Sequence, residues 1–200
     1  MKHLCSALLI AGCATSPAAP TAQPRPARAP SPVAAIAPVD PTLGPPPTGD
    51  TVANVDVGRY TGTWFEIARV ASGFERACTG TTATYAPIDA TTVSVHNHCT
   101  LGALDGAPIE ITGSARVVDP SNARLEVDFG FARAPYWIVD LGVADPAAPY
   151  PWAVVSNPAR TSLWILSREP HMSAGRYDAL VARLTARGYH PERLERTLQP

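Results

Sequence analysis

Eight short stretches with strand-like patterning follow one another between Gly62 and Leu166, and this series limits the possible folds more than any other feature of the chain. They run Gly62 to Arg69, Thr79 to Tyr85, Thr92 to His98, Ile109 to Val118, Arg124 to Phe129, Tyr136 to Leu141, Trp152 to Ser156 and Ser162 to Leu166. Short strands at near-regular spacing, with turn residues between them, are the pattern of an up-and-down barrel or of a sandwich. Two of them alternate cleanly. Ile109, Ile111, Gly113, Ala115 and Val117 stand against Glu110, Thr112, Ser114 and Arg116, and Leu125, Val127 and Phe129 stand against Arg124, Glu126 and Asp128. Successive side chains of a strand point to opposite faces, so the odd-numbered sets face inward. The first set narrows toward its middle, and small inward residues predict volume left for a ligand, where a filled barrel would use large ones. By the same alternation Ala83 and Tyr85 pair inward with Val93, Val95 and Asn97. The predicted pocket lining is Ala83, Tyr85, Val95, Ile111, Leu125, Val127, Phe129 and Tyr136, residues that a plain core would use equally well.

Two motif-bearing strings decide between barrel and sandwich. In Gly62-Thr63-Trp64-Phe65-Glu66-Ile67-Ala68-Arg69 a turn glycine opens the strand, with Trp64, Glu66 and Ala68 on one face and Phe65, Ile67 and Arg69 on the other. Both faces are partly apolar, as suits a barrel wall between a filled interior and a packed helix. This string and Leu163-Trp164-Ile165-Leu166-Ser167-Arg168 resemble the first and third signature motifs of the lipocalins, most closely those of the bacterial branch. Tyr136-Trp137-Ile138-Val139-Asp140-Leu141 resembles the start of the second motif. The resemblance implies an all-β fold, an eight-stranded antiparallel up-and-down barrel with one C-terminal α-helix packed outside and a cavity for one small apolar ligand. It also implies that Gly62, Trp64 and Arg168 form the closed base, with the guanidinium across the indole, an arrangement worth roughly 0.5 to 2 kcal/mol that leaves donors for nearby carbonyls. After Leu141 the second motif is lost, and residues 145–151 look like an insertion containing three prolines. Its bottom-loop contacts are therefore open.

Flanking elements fit this plan. Asp56 reads as the cap of a short helical turn through Tyr60 that leads across the base, and Ser72 to Arg76 reads as a loop. Ser173 to Arg187 reads as the outer helix, capped by Ser173, ended by Gly188 and striped by Tyr177, Leu180, Val181 and Leu184. Such a stripe also suits a membrane surface, but the Phe65 and Ile67 face gives it a partner in the barrel wall.

The N-terminal quarter has a different character. Lys2, an apolar stretch from Leu4 to Ile10, and the small residues Ala11 and Gly12 directly precede Cys13. This resembles a bacterial lipoprotein signal over residues 1–12 and implies cleavage before Cys13, whose thiol and new amino group are acylated. An apolar N-terminus with an incidental cysteine is the alternative. Ala14 in place of aspartate implies, by the same resemblance, anchoring in the bacterial outer membrane on its periplasmic side. From Ala14 to about Asp50 the chain carries half of its 22 prolines, no aromatics and no apolar periodicity. Such a segment buries too little surface to offset its ordering cost. A disordered tether over residues 13–50 is expected, with a reach on the order of 100 Å, or else a mere spacer. The folded domain is expected over residues 51–200. A formal net charge of -1 without basic runs excludes a nucleic-acid footprint.

On the lipoprotein-signal resemblance Cys5 falls within the signal and Cys13 is the lipidation site, which leaves Cys78 and Cys99 for an oxidising compartment. They flank one hairpin, and counting outward from Ile88 and Asp89 brings them opposite each other, whereas the inward pattern shifts the register by one residue. A bulge would reconcile the two and allow a disulfide; two free buried thiols are the alternative. His96 and His98 share an outward face, but no third ligand sits at motif spacing, so no metal site is expected. Glu66 is the one inward carboxylate, and since an unpaired buried charge is costly it is expected to be hydrogen-bonded or salt-bridged. No catalytic set is expected and no cofactor. The resemblance implies a lipid-anchored carrier of fatty acids, lysophospholipids or similar lipids. The alternatives are a filled, lipocalin-shaped interaction module and a lipid-modifying enzyme with Glu66 as base.

Overall fold

A single antiparallel sheet rolls up and closes on itself in the computed structural model, which describes residues 40–70, 73–143 and 145–200, the side chains of residues 73 and 74 excepted. The expected signal, Cys13 and the tether up to residue 39 lie outside the described residues. A turn of helix, α1 (Val57–Tyr60), is capped by the Asp56 carboxylate and leads into β1 (Gly62–Arg69). Then come β2 (Cys78–Pro87), β3 (Thr92–Leu101), β4 (Pro108–Val117), β5 (Arg124–Asp128), β6 (Arg133–Leu141), β7 (Trp152–Ser156) and β8 (Leu163–Ser167). Each strand pairs with the next, and β1 pairs with both β2 and β8, so the barrel has no free edge. The loop expected after β1 contains a 3-10 turn at Gly73–Ala77.

Two apolar clusters share the wall. One fills the lower barrel and includes Val55, Tyr60, Trp64, Tyr85, Leu125 and Ile138. The other lies between the wall and helix α2 (Ala174–Ala186), where Leu180 and Leu184 are fully buried against Ile67, Val139, Val154 and Ile165. Ser173 caps α2 as expected, its hydroxyl accepting from the Arg176 amide. The expected helix stripe therefore packs on the barrel.

Bulges correct two expectations of strict alternation. In β1 the pairing with β8 steps from Glu66↔Leu166 to Ala68↔Ile165, so one extra residue shifts the phase. Ala68 joins the outer cluster, although parity put it inside with Trp64, and Arg69 turns inward beside Glu66, although parity put it outside. In β2 the register slips between Thr79 and Thr82, while Tyr85↔Val95 and Ala83↔Asn97 keep the expected inward pairing. The slip carries Cys78 to within 5.4 Å (Cα to Cα) of Cys99, and the two form a disulfide.

Both ends of the described chain sew the barrel shut. The expectation of a structureless tether up to Asp50 is corrected over residues 40–50, which lie along α2. Asp40 pairs with Arg176, Arg183 donates to the Gly44 carbonyl, Arg187 donates to the Gly49 carbonyl, and Trp152 Nε1 donates to Thr42 Oγ1. Leu43 packs on the outer cluster. Half-buried arginines on α2 and at its C-cap supply the partners that composition alone did not reveal. At the C-terminus a two-residue strand β9 (Glu195–Arg196) pairs with the top of β1. Beyond Phe65↔Thr82 the strands β1 and β2 part, and the tail bridges them: Thr197 N donates to Ile67 O, Gly80 N donates to Leu198 O, and Gln199 Nε2 donates to Glu66 O and Thr81 O.

Candidate functional site

The floor of the barrel is built around one guanidinium. Arg168 lies 3.7 Å from the centre of the Trp64 ring, and its nitrogens donate to the carbonyls of Arg59, Tyr60, Thr61, Thr63 and Tyr150. Trp64 is fully buried and its Nε1 donates to Tyr60 O, which binds β1 to α1 from the other side. Gly62 has φ +93, and a side chain there would sit 3.3 Å from Arg168 Nη1, so glycine is required both for the turn and for the approach. The inserted segment contributes as well. Arg59 stacks 4.2 Å over Tyr150 and donates to the carbonyls of Asp145 and Ala148, while the Asp56 amide donates to the Tyr150 hydroxyl. A bottom closure thus exists without the second motif's own residues.

Above this floor lies a layer of three tyrosines. Tyr60 Oη is 2.7 Å from Tyr136 Oη, and Tyr85 Oη donates to Tyr136 Oη at 3.0 Å. Burial pushes the Tyr85 hydroxyl up to about 12, and burial with mutual repulsion holds Tyr60 and Tyr136 well above their ordinary value. All three are neutral donors at physiological pH. Tyr60 was not singled out by the alternation, because it belongs to α1 and reaches the interior from beneath.

The layer splits the interior in two. Above it a cavity of about 200 Å³ opens toward the 3-10 turn and the β3–β4 and β5–β6 turns. Seven of the predicted lining residues border it: Ala83, Tyr85, Val95, Ile111, Val127, Phe129 and Tyr136. The eighth is corrected. Leu125 lies below the tyrosines and borders a void of only about 20 Å³ with Val93, Ala115 and Ile138. The reason given for the vacant volume also needs revision, because a side chain at Gly113 would meet Asp128 O at 2.4 Å and the Phe129 ring at 2.7 Å. Gly113 lets β5 approach closely and makes no room for a ligand. The lining also includes Ile109, which alternation placed inward, and Val155, Trp164 and Leu166, which it missed; β7 is buried on both faces and shows no period to read.

One side of the cavity is charged. Glu66 and Arg69 are both buried and form an ion pair at 2.5 Å. Thr197 Oγ1 donates to Glu66 and accepts from Arg69, whose guanidinium also donates to the Glu75 and Cys78 carbonyls. Burial raises the Glu66 carboxyl, opposed by Thr197 and Arg69. The salt-bridged role expected of Glu66 is met, with a partner the unbulged parity had put outside. Arg69 Nε, Thr81 Oγ1 and Asn97 Oδ1 are buried in this wall with no protein partner. His96 stands outside, 3.6 Å from Glu110, and His98, two residues along in the unbroken register of β3 with β4, is among the residues at the border of the cavity.

Known proteins resemble this chain over the barrel. A family described as lipocalin-like domain matches residues 55–199. Outer membrane lipoprotein Blc of Citrobacter freundii is 36% identical over 160 residues, 78% of this chain and 86% of that protein. Temperature-induced lipocalin-1 of Arabidopsis thaliana is 32% identical over 161 residues, 75% of this chain and 82% of that protein. Among solved structures, insecticyanin from the tobacco hornworm Manduca sexta superposes with a TM-score of 0.55 at 17% identity, covering 77% of this chain and 86% of its own.

Proposed function

The chain belongs to the lipocalin family, and from that premise we propose that it carries or stores a small hydrophobic ligand inside its barrel, anchored in the bacterial cell envelope. The observation that carries this reading is the cavity above the tyrosine layer, walled mainly by apolar side chains and closed beneath by Trp64 and Arg168. Its volume of about 200 Å³ exceeds the ~150 Å³ of a dry engineered cavity that admits benzene. It falls below the ~300 Å³ at which drug-sized pockets begin. A fatty acid or lysophospholipid would therefore bury the leading part of its acyl chain and leave the rest at the mouth, where Leu101, Leu104 and Phe131 are exposed on the turns. Each buried methylene contributes about 0.8 kcal/mol, so affinity would come from the chain and selectivity would be broad. Binding, not catalysis, is the activity we assign, because the Glu66 carboxylate is held by Arg69 and Thr197 and is unavailable as a base.

The anchoring half of the proposal rests on Cys13 and on the likeness to an outer membrane lipoprotein. With residues 40–50 docked, the tether would span residues 14–39, about 80 Å as extended polyproline. Two measurements test the proposal. Mass spectrometry of organic extracts from the purified full chain should find a stoichiometric lipid, and its absence from every preparation would count against the carrier. In a Gram-negative host, Cys13→Ser should move the protein from the membrane fraction to the soluble fraction, and an unchanged distribution would refute the anchor.

A further inference from the structure

The tyrosine layer carries one proton more than its hydrogen bonds use. Tyr60, Tyr85 and Tyr136 bring three hydroxyl protons, and the two bonds that join them engage two. Tyr136 is the centre of the set and borders both the cavity and the void beneath. When it accepts from Tyr60 and from Tyr85 its own proton is left over, and a hydroxyl that accepts two bonds is polarised into a stronger donor. A purely hydrocarbon ligand end would bury that donor without a partner, at a cost comparable to a lost hydrogen bond.

Resting on the carrier reading above, we propose that the preferred ligand is a hydrophobe with a neutral acceptor oxygen at its leading, buried end, a carbonyl above all, and that Tyr136 donates to it. A carboxylate is a poor occupant of this position. Arg168 is spent on five backbone carbonyls beneath Trp64, and Arg69 is neutralised by Glu66 higher in the wall. One hydroxyl donor does not compensate a buried charge. An anionic trailing group has a better seat toward the mouth, where Arg69 Nε and Thr81 Oγ1 stand without partners.

The probes are undecanoic acid and its methyl-ketone analogue, the same chain with a carbonyl next to the terminal methyl, titrated calorimetrically into the full chain. Tyr136→Phe is expected to weaken the ketone by about three- to tenfold and, because it removes the donor that a hydrocarbon end buries unpaired, to tighten the plain acid. Tyr60→Phe, which removes one supporting bond, should have the same sign and a smaller effect. The infrared carbonyl band of the ketone bound to wild type should lie below its position in hydrocarbon solvent, a readout that stands even if the variant fails to fold. A wild-type band at the hydrocarbon position, or equal losses for both ligands in Tyr136→Phe, overturns the proposal and leaves the carrier intact. If wild type binds neither acid, the carrier reading falls as well.

Discussion

Two arginines are buried or half-buried for different reasons, and substitution separates them. Arg168 satisfies carbonyls of Arg59, Tyr60, Thr61, Thr63 and Tyr150 and covers the Trp64 ring. Arg168→Ala should destabilise the domain by about 2 to 4 kcal/mol in urea unfolding, and Arg168→Lys should recover less than half of the loss, because a point charge lacks the planar fork. Arg69 instead balances Glu66. Removing one member of a buried pair costs about 3 to 5 kcal/mol, whereas replacing both by apolar groups is close to neutral. Glu66→Gln should therefore be strongly destabilising, and the doubly apolar replacement Glu66→Leu with Arg69→Met should be less so than Glu66→Gln alone. If Glu66→Gln unfolds like wild type, Glu66 does not balance Arg69.

At the scale of elements, the strap over residues 40–50 has a pH signature. Hydrogen bonding to Arg176 lowers the Asp40 carboxyl from 3.8 to about 2. A depressed carboxylate stabilises the fold fully above its unfolded value and loses that contribution as pH falls toward its folded one. The stability difference between wild type and Asp40→Asn should hold above pH ~4 and shrink toward zero by pH ~2, as read by urea midpoints. A difference independent of pH would show that the pair contributes nothing. Strands and helix α2 were legible because alternation and the Ser173 and Gly188 signals are local. The strap was not, since what holds it to the barrel is distant in sequence: Asp40 pairs with Arg176, 136 residues on, and Leu43 packs on the outer cluster. The bulge at Glu66 to Ala68 was hidden for a related reason: it makes sense only once the tail residue Thr197 joins the Glu66–Arg69 pair.

The described residues form a closed wall with an outer helix, sewn by the strap and the C-terminal tail, around an interior that is packed below the tyrosine layer and vacant above it. Family, barrel and base were readable from the strings around Trp64 and Arg168. The height of the cavity was not, because it depends on Tyr60 entering from α1 and on Phe129 filling the space beside Gly113. Most directly decisive is a titration of a fluorescent fatty acid into the full chain and into Ala83→Trp, whose indole would occupy the cavity. Wild type should saturate at one ligand per chain and the variant, still folded, should lose at least about tenfold in affinity; binding that fails to saturate, or that is indifferent to the indole, would contradict a ligand held inside the barrel.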